Sequence, residues 1–405
     1  MATAAVWGVE EHARAVRSVA LELARRVGIA GDSLQVLEEA ASHHHHPLDL
    51  GTGDALARLA SEVVPGLAVL PGPAARPAAP AADLIHTLRK RSTGVHHDLL
   101  ADLVELADLV VEHYEYCGLV NQPFDLGGIP LLAASAGFDP SLVEALEPST
   151  GVLEFRHAAR LVGVRPRLAL RILSLGEDAG AREVSLIGEE DPIVAAHLIR
   201  AANSALYGTR FEVTNVPHAV NHLGVPVARQ VILAVAMRPA SASGRLLQEW
   251  RHAVTAAEFA RTFGLHAGLA SSEELFLAGL VHDIGRLVLY HLSAPLVSAY
   301  ERLREQGCPP NLAETILTGM DHSRLGSFLL ADWRFPEVLV EAVADHHAPS
   351  HPVASLLYVA EHAITGSPEG IISPPSLEDA LDACGLSPQH LGEAAPSPLL
   401  EALAD

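Results

Sequence analysis

The sequence predicts an all-α protein made of packed helical bundles. Hydrophobic residues fill 49% of its 405 positions but aromatic ones only 4%, so Ala, Leu and Val dominate, which suits close-packed helices better than a sandwich or barrel. Apolar residues recur at helical spacing, as in Val16, Val19, Ala20, Leu23 and Val27, while strands of alternating pattern are missing. At this length two or three domains are expected.

The elements follow in order. Residues 12–27 read as a first helix and 33–43 as a second, opened by an Asp32 or Ser33 cap. Pro65 to Pro80, with Pro71, Pro73 and Pro77 among alanines, cannot sustain a helix and reads as an extended insertion over about 65–82. Gly127, Gly128, Pro130 and Pro148 mark the boundary that closes a helical domain over residues 1–147. Short helices are then expected at 154–162, 165–174, 179–189, 191–206 and 216–238, with Asp191-Pro192 a good start because Asp caps and Pro suits the first turn. Arg238 to Gly244 reads as a joint between a half at 150–240 and a ligand-bearing bundle at 246–365, and 366–405 as a helical tail.

Charge and cysteines narrow the function classes. With 27 Lys plus Arg against 49 Asp plus Glu, the net charge of −22 repels nucleic-acid backbones and anionic lipid, so neither nucleic acid nor membrane is expected as a partner. His86 to Arg91 is the one local basic stretch noted against that trend. Three cysteines without a CxxC suggest neither a disulfide framework nor a thiolate zinc site, and the start of the chain lacks the pattern of a secretory signal, so a cytoplasmic protein is expected. No GxxxxGK[ST] or GxSxG occurs, which sets aside ATP-loop and serine-hydrolase chemistry.

The chemistry centres on Leu277 to Arg286, where His282-Asp283 closes an apolar helix and places two ligand-type side chains at one spot. His252 stands 30 residues earlier, and Asp321-His322, Asp345-His346-His347 and Glu361 follow. Neutral imidazoles and carboxylates suit a divalent ion of intermediate hardness, so His252, His282, Asp283, His322, His346, His347 and Glu361 are the candidate ligands for Fe, Mn, Zn, Ni or Mg. The competing reading is a hydrogen-bonded polar knot joining helices, with Asp321 and Asp345 as caps or solvated acids.

The first third of the chain repeats this outline. His12 to His43 spans 31 residues as His252 to His282 spans 30, and His96-His97 followed by Asp108 parallels His346-His347 followed by Glu361. Either this is a tandem duplication or two Ala-Leu-rich segments are alike by chance. His44 stands where an aspartate would bridge, and an imidazole cannot bridge two ions through two oxygens, so His12, His43, His44, His96, His97 and Asp108 would hold one ion at most. A degenerate structural domain with a His-rich loop is the alternative there.

The order His, His-Asp, His, His-His, acid resembles the HD superfamily of metal-dependent phosphohydrolases, and within it the HDOD (HD-related output domain) family. Asp191-Pro192, Arg200 to Gly208 with Asn203-Ser204 and Tyr207, and Val216 to Gly224 are similar to that family's N-terminal helical half. Glu249-Trp250-Arg251-His252 and Ala331 to Pro336 are similar to its second half, so the resemblance covers about residues 150–365. It implies an HD-like helical core preceded by an HDOD N-terminal helical subdomain, with residues 1–147 as a divergent HD-like helical domain. It also implies a signalling and scaffolding protein that binds a protein partner or a nucleotide.

The alternative is a divalent-metal phosphohydrolase acting on a nucleotide or cyclic nucleotide, in which two ions activate a water and clamp a phosphate ester. Against it, Glu361 replaces the superfamily's final aspartate, and Arg286 stands where catalytic relatives commonly carry a lysine. Arg does not exchange protons at ordinary pH. Ala348-Pro349-Ser350 stands where the cyclic-di-nucleotide hydrolases of this superfamily carry Gly-Tyr-Pro, which disfavours cyclic-di-GMP. Asn203, Ser204, Tyr207 and Gly208 are expected to serve local structure rather than chemistry.

Overall fold

The computed structural model describes residues 9–43, 96–119, 124–148 and 152–391, leaving out 125, 127, 137, 177, 209–211, 241–243, 270 and 367–375, and adds 399 and 403. The Pro-rich stretch 65–82, His44 to His46 and the basic stretch 86–91 lie outside the described residues. Among those described, every regular element is an α-helix, as composition led us to expect. No single described helix is both long and apolar enough to cross a membrane.

The chain divides into two compact units, of which the first combines residues 1–151 with 293–321 and 370–373. Helices Val9–Arg26, Asp32–His43 and His96–Leu119 form its centre. Val16, Val19, Ala20 and Leu23 are fully buried there together with Leu37, Leu103, Leu106 and Val110, so the 3.6-residue period translates directly into one apolar face. Val27 lies one residue past the end of its helix and is half-buried. The later segment joins through polar contacts: Arg26 donates to Ala145 O at 2.8 Å and to Ile316 O at 3.1 Å, and Arg302 meets the buried Glu22 at 3.4 Å. Arg26 therefore satisfies orphan carbonyls near the ends of helices Pro140–Ala145 and Pro310–Thr318.

The second unit holds residues 152–292, 322–369 and 374–405. Asp191 caps helix Pro192–Ala202, its Oδ1 accepting from Ile193 N at 2.8 Å, as Asp-Pro predicts. That helix stops at Ala202 rather than running to 206, because the Asn203 side chain turns away to bond Val213: Nδ2 donates to Val213 O at 2.7 Å and Oδ1 accepts from Val213 N at 2.8 Å. The helix expected over 216–238 is two, Val216–Leu223 and Val225–Ala236, broken where Gly224 takes φ 81° ahead of Pro226.

Helix Val225–Ala236 is buried over most of its length from Ala228 onward, which makes its one cation conspicuous. Arg229, 3% exposed, donates to Leu175 O at 2.8 Å and Ile172 O at 3.1 Å and faces Glu273 at 3.3 Å. It closes the C-terminus of helix Pro166–Leu173 and ties it to the start of helix Ser272–Val281. Arg229→Met should lower stability by about 2 kcal/mol, less than a fully buried pair loses because Glu273 can still reach water. Urea denaturation checks this, and an unchanged midpoint would mean the carbonyls are satisfied without it.

Helices Gly244–Ala267 and Ser272–Val281 pack as a tight hairpin. Ser271 caps the second, accepting from Glu274 N at 3.2 Å. A Cβ on Gly279 would fall 2.6 Å from Ala256 O, so only glycine allows the two backbones this close. Their contact sets the positions of His252 and His282, one on each helix of the pair.

Candidate metal centre

Helix Ser272–Val281 ends at His282, and Asp283, with φ −102° and ψ 18°, turns the chain into the short helix Ile284–Leu289. This bend aims the two side chains into the unit rather than along one face. Helix His322–Asp332 comes against the bend at Gly285, where a Cβ would lie 2.1 Å from His322 O. His346 and His347 follow the end of helix Glu337–Ala344, and Glu361 projects from helix Pro352–Thr365.

All seven candidate ligands converge, in two groups that meet at Asp283. In the first, Asp283 Oδ1 lies 3.0 Å from His322 Nε2 and 3.5 Å from His346 Nε2, and His347 Nε2 is 2.7 Å from His322 Nε2. In the second, His252 Nε2 lies 3.0 Å from Glu361 Oε2 and 3.3 Å from His282 Nε2, which is itself 3.5 Å from Glu361 Oε2. Asp283 Oδ2 faces this second group, 3.5 Å from His282 and 3.8 Å from His252. One carboxylate thus addresses both groups, one oxygen to each.

The chemistry of the donor set fits a divalent ion. Ligands held ~2.1 Å from one ion in tetrahedral or octahedral geometry stand ~3.0–3.4 Å apart, and the pairs here bracket that spacing, from 2.7 to 3.8 Å. Asp283 Oδ1, His346 Nε2 and Glu361 Oε2 are buried without a hydrogen bond, although nitrogen atoms lie close by, while Asp283 Oδ2 is met by Arg286. Leaving such atoms unpaired is costly unless something else satisfies them. His282 Nδ1 and His346 Nδ1 each donate to a backbone carbonyl, Gly279 O and Val343 O, both at 2.7 Å. A carbonyl only accepts, so the hydrogen sits on Nδ1 and the Nε2 lone pair of each ring points into the site, as outer-shell carbonyls arrange at metal centres.

Electrostatics divide the two groups. Burial raises the Asp283 carboxyl, but Arg286, His282 and His322 more than reverse this and hold it well below the usual range. Arg286 Nη1 reaches Asp283 Oδ2 at 2.8 Å and stands 4.0 Å from Glu249, whose carboxyl burial pushes up. Burial lowers His252, but the carboxylates of Glu361 and Asp283 outweigh it and push the imidazole up to about 9. His346 and His347, by contrast, are lowered by burial and by neighbouring imidazoles, so they stay neutral and ready to ligate.

The N-terminal set assembles differently. His12 Nε2 lies 2.9 Å from Asp108 Oδ1 and its Nδ1 2.5 Å from Glu115 Oε1, so two carboxylates grip opposite ends of one ring and do not share a ligand position. His44 and the side chains of His43, His96 and His97 lie outside the described residues. Glu115 escaped the sequence reading, although it follows Asp108 by seven residues, two helical turns, and so shares its face. Neither Asp321 nor Asp345 is a member of the two ligand groups, and Asp345 accepts from Ser350 Oγ. A cavity of about 500 Å³ lined by Arg156, Arg160, Asp332 and Trp333 contains none of the seven.

Residues 164–349 match the HDOD domain family. The chain carries an HDOD domain. Six of the seven candidate ligands fall within that match and Glu361 twelve residues beyond it. An uncharacterized protein of Treponema pallidum (strain Nichols) is 23% identical over 204 residues, 46% of this chain, and the chain spans 38% of that protein's length. Among solved structures, a protein of Marinobacter aquaeolei VT8 described as a signal transduction protein is 22% identical over 59% of this chain and 60% of its own, with a TM-score of 0.49. An HDOD domain protein with unknown function from Geobacter sulfurreducens is 21% identical over 63% and 94%, with a TM-score of 0.46.

Proposed function

We propose that this chain is a signalling protein whose HDOD domain binds one divalent ion at Asp283, His322, His346 and His347 and presents a helical surface to a protein partner or nucleotide. The observation that carries this reading is Arg286 Nη1 at 2.8 Å from Asp283 Oδ2. Its guanidinium already neutralises the oxygen that faces His252, His282 and Glu361, so a second divalent ion there meets a fixed positive charge. Oδ1 stays directed at the imidazoles of His322 and His346. A bound ion would supply Lewis-acid polarisation and lock the ends of four helical segments together. An arginine beside the centre offers no proton donor or acceptor for turnover.

A metal-dependent phosphohydrolase is the second reading, favoured by the one-oxygen-to-each arrangement of Asp283, which suits two ions sharing a carboxylate. Metal analysis of the purified full chain separates the two. One ion per chain, lost in His346→Ala and in Asp283→Ala but kept in His252→Ala, is expected, together with no hydrolysis of phosphodiesters or nucleotides. Two ions per chain with hydrolysis that disappears in Asp283→Ala would establish the enzyme instead. Removing the ion with a chelator should lower the melting temperature, since an ion at about 1,000 times its dissociation constant contributes ~4 kcal/mol.

Residues 1–147 we read as a diverged copy of the HD-like half. What supports this is the shared pairing: His12 Nε2 to Asp108 at 2.9 Å, and His252 Nε2 to Glu361 at 3.0 Å, each joining the first helix of its bundle to a later one. Glu115 on the other ring nitrogen turns His12 into a hydrogen-bonded cation instead of a ligand, so metal content should be the same in His12→Ala as in the parent chain.

A further inference from the structure

A second cluster of chemistry lies in the HDOD domain on helix Pro192–Ala202 and the joint that follows the N-terminal half, away from the ligands named above in sequence. His197 Nδ1 bonds Ile193 O at 2.7 Å, which makes it the donor, so His197 Nε2 is the acceptor for Arg238 Nη1 at 2.7 Å. Arg238 thereby rests on a neutral imidazole, with its other face 5.0 Å above the Trp250 ring, and no carboxylate balances it in these contacts. Arg200, one turn after His197, has Nε and Nη2 buried without any acceptor. Arg165 does meet a carboxylate, Asp191 Oδ2 at 2.5 Å, but that group is also bound by the helix N-terminus through Ile193 N.

Positive charge gathered this way is unusual in a chain with 22 more acids than Lys and Arg. Burial and then the cations Arg200, Arg238 and Arg165 hold His197 below its ordinary value, and Arg200 and Arg251 act likewise on Arg238. Buried guanidinium N–H groups without acceptors are costly, and a planar fork of donors matches the oxygens of phosphate or carboxylate. Trp250 behind Arg238 fixes the plane of that fork. Tetrahedral phosphate, with acceptors on every side, can meet two guanidinium groups that approach from different segments of the chain.

We propose that Arg200 and Arg238, flanked by Arg165 and Arg251, form a binding site for a phosphate group, carried by inorganic phosphate or by a phosphorylated small molecule. The site shares no residue with the candidate metal centre, although Arg251 directly precedes His252, and it stands whether or not that centre holds an ion. Isothermal titration of the full chain with inorganic phosphate, pyrophosphate and AMP at constant ionic strength tests it. Saturable binding of at least one is expected, weakened ten-fold or more in Arg200→Gln and in Arg238→Gln and retained in Asp283→Ala. Tighter binding of AMP than of inorganic phosphate would identify a phosphorylated metabolite as the source, and the reverse order a free phosphate.

Arg251→Gln, at an exposed position, provides a variant that should fold normally and still weaken binding several-fold, which guards against loss through misfolding. No saturable binding of any of the three probes, or binding that Asp283→Ala abolishes while the arginine variants retain it, would overturn the proposal. In the second case the phosphate would be bound at the metal centre, and the metal-content experiment above would be unaffected.

Discussion

Gly285→Ala is expected to dismantle the metal centre and to lower stability by about 3–4 kcal/mol, the largest effect of any single methyl group in this domain. The added Cβ would lie 2.1 Å from His322 O and 2.8 Å from both His322 C and His322 Cα. All three are backbone atoms, so no rotamer change relieves the clash, and helix His322–Asp332 must move away from the bend at Asp283. Any such movement carries His322 Nε2 away from Asp283 Oδ1, and metal content should fall with stability. Gly264→Ala is the informative comparison. Its Cβ would fall 2.3 Å from Leu275 Cδ1, the tip of a flexible side chain that can rotate, and alanine gains helix propensity over glycine of ~1 kcal/mol. That variant should therefore lose about 1 kcal/mol or less and keep its ion. Urea unfolding of the two side by side decides the matter: equal losses, or a metal-replete Gly285→Ala, would mean that helix His322–Asp332 has room to adjust.

The same residue shows why part of the centre was legible in the sequence. His282-Asp283 followed by Gly285 is a local pattern, and a helix end with a close backbone approach is what such a glycine announces. His252, His322, His346, His347 and Glu361 were legible as ligand types lying in or beside segments that read as helix, and all five fall in the two groups that meet at Asp283. Arg286 was visible only as a departure from a related pattern. Its ion pair with Asp283 Oδ2 depends on the bend between two helices, which no spacing encodes. Helix type was read well because Ala-rich amphipathic stretches leave little competition, whereas boundaries failed where a side chain intervened, as Asn203 does by clamping Val213. The association of residues 293–321 with the N-terminal helices could not be read at all, since it rests on contacts such as Arg302 to Glu22 across 280 residues of chain.

Stability of the N-terminal unit should depend on pH through His12. Burial by itself lowers this imidazole, but Asp108 and Glu115, one on each ring nitrogen, outweigh burial and raise it to about 9 from the ordinary 6.5. A group raised in the folded state stabilises fully below its unfolded value, so the contribution is whole below about pH 6.5. It then declines as pH rises and is gone once the folded imidazole has also lost its proton, above about 9. A difference of this size corresponds to stability on the order of 3 kcal/mol, and His12 is 6% exposed, so little of it is screened by solvent. Comparing the parent chain with His12→Gln isolates the effect from the other histidines. The gap between their unfolding midpoints should be widest near pH 6, narrow steadily from pH 7 to 9 and be small at pH 10. Glutamine leaves Asp108 and Glu115 facing a neutral amide, and two carboxylates drawn towards one buried position without a cation repel one another. A gap that stayed constant, or widened with pH, would show that His12 is neutral in the folded protein and that its contacts are ordinary hydrogen bonds.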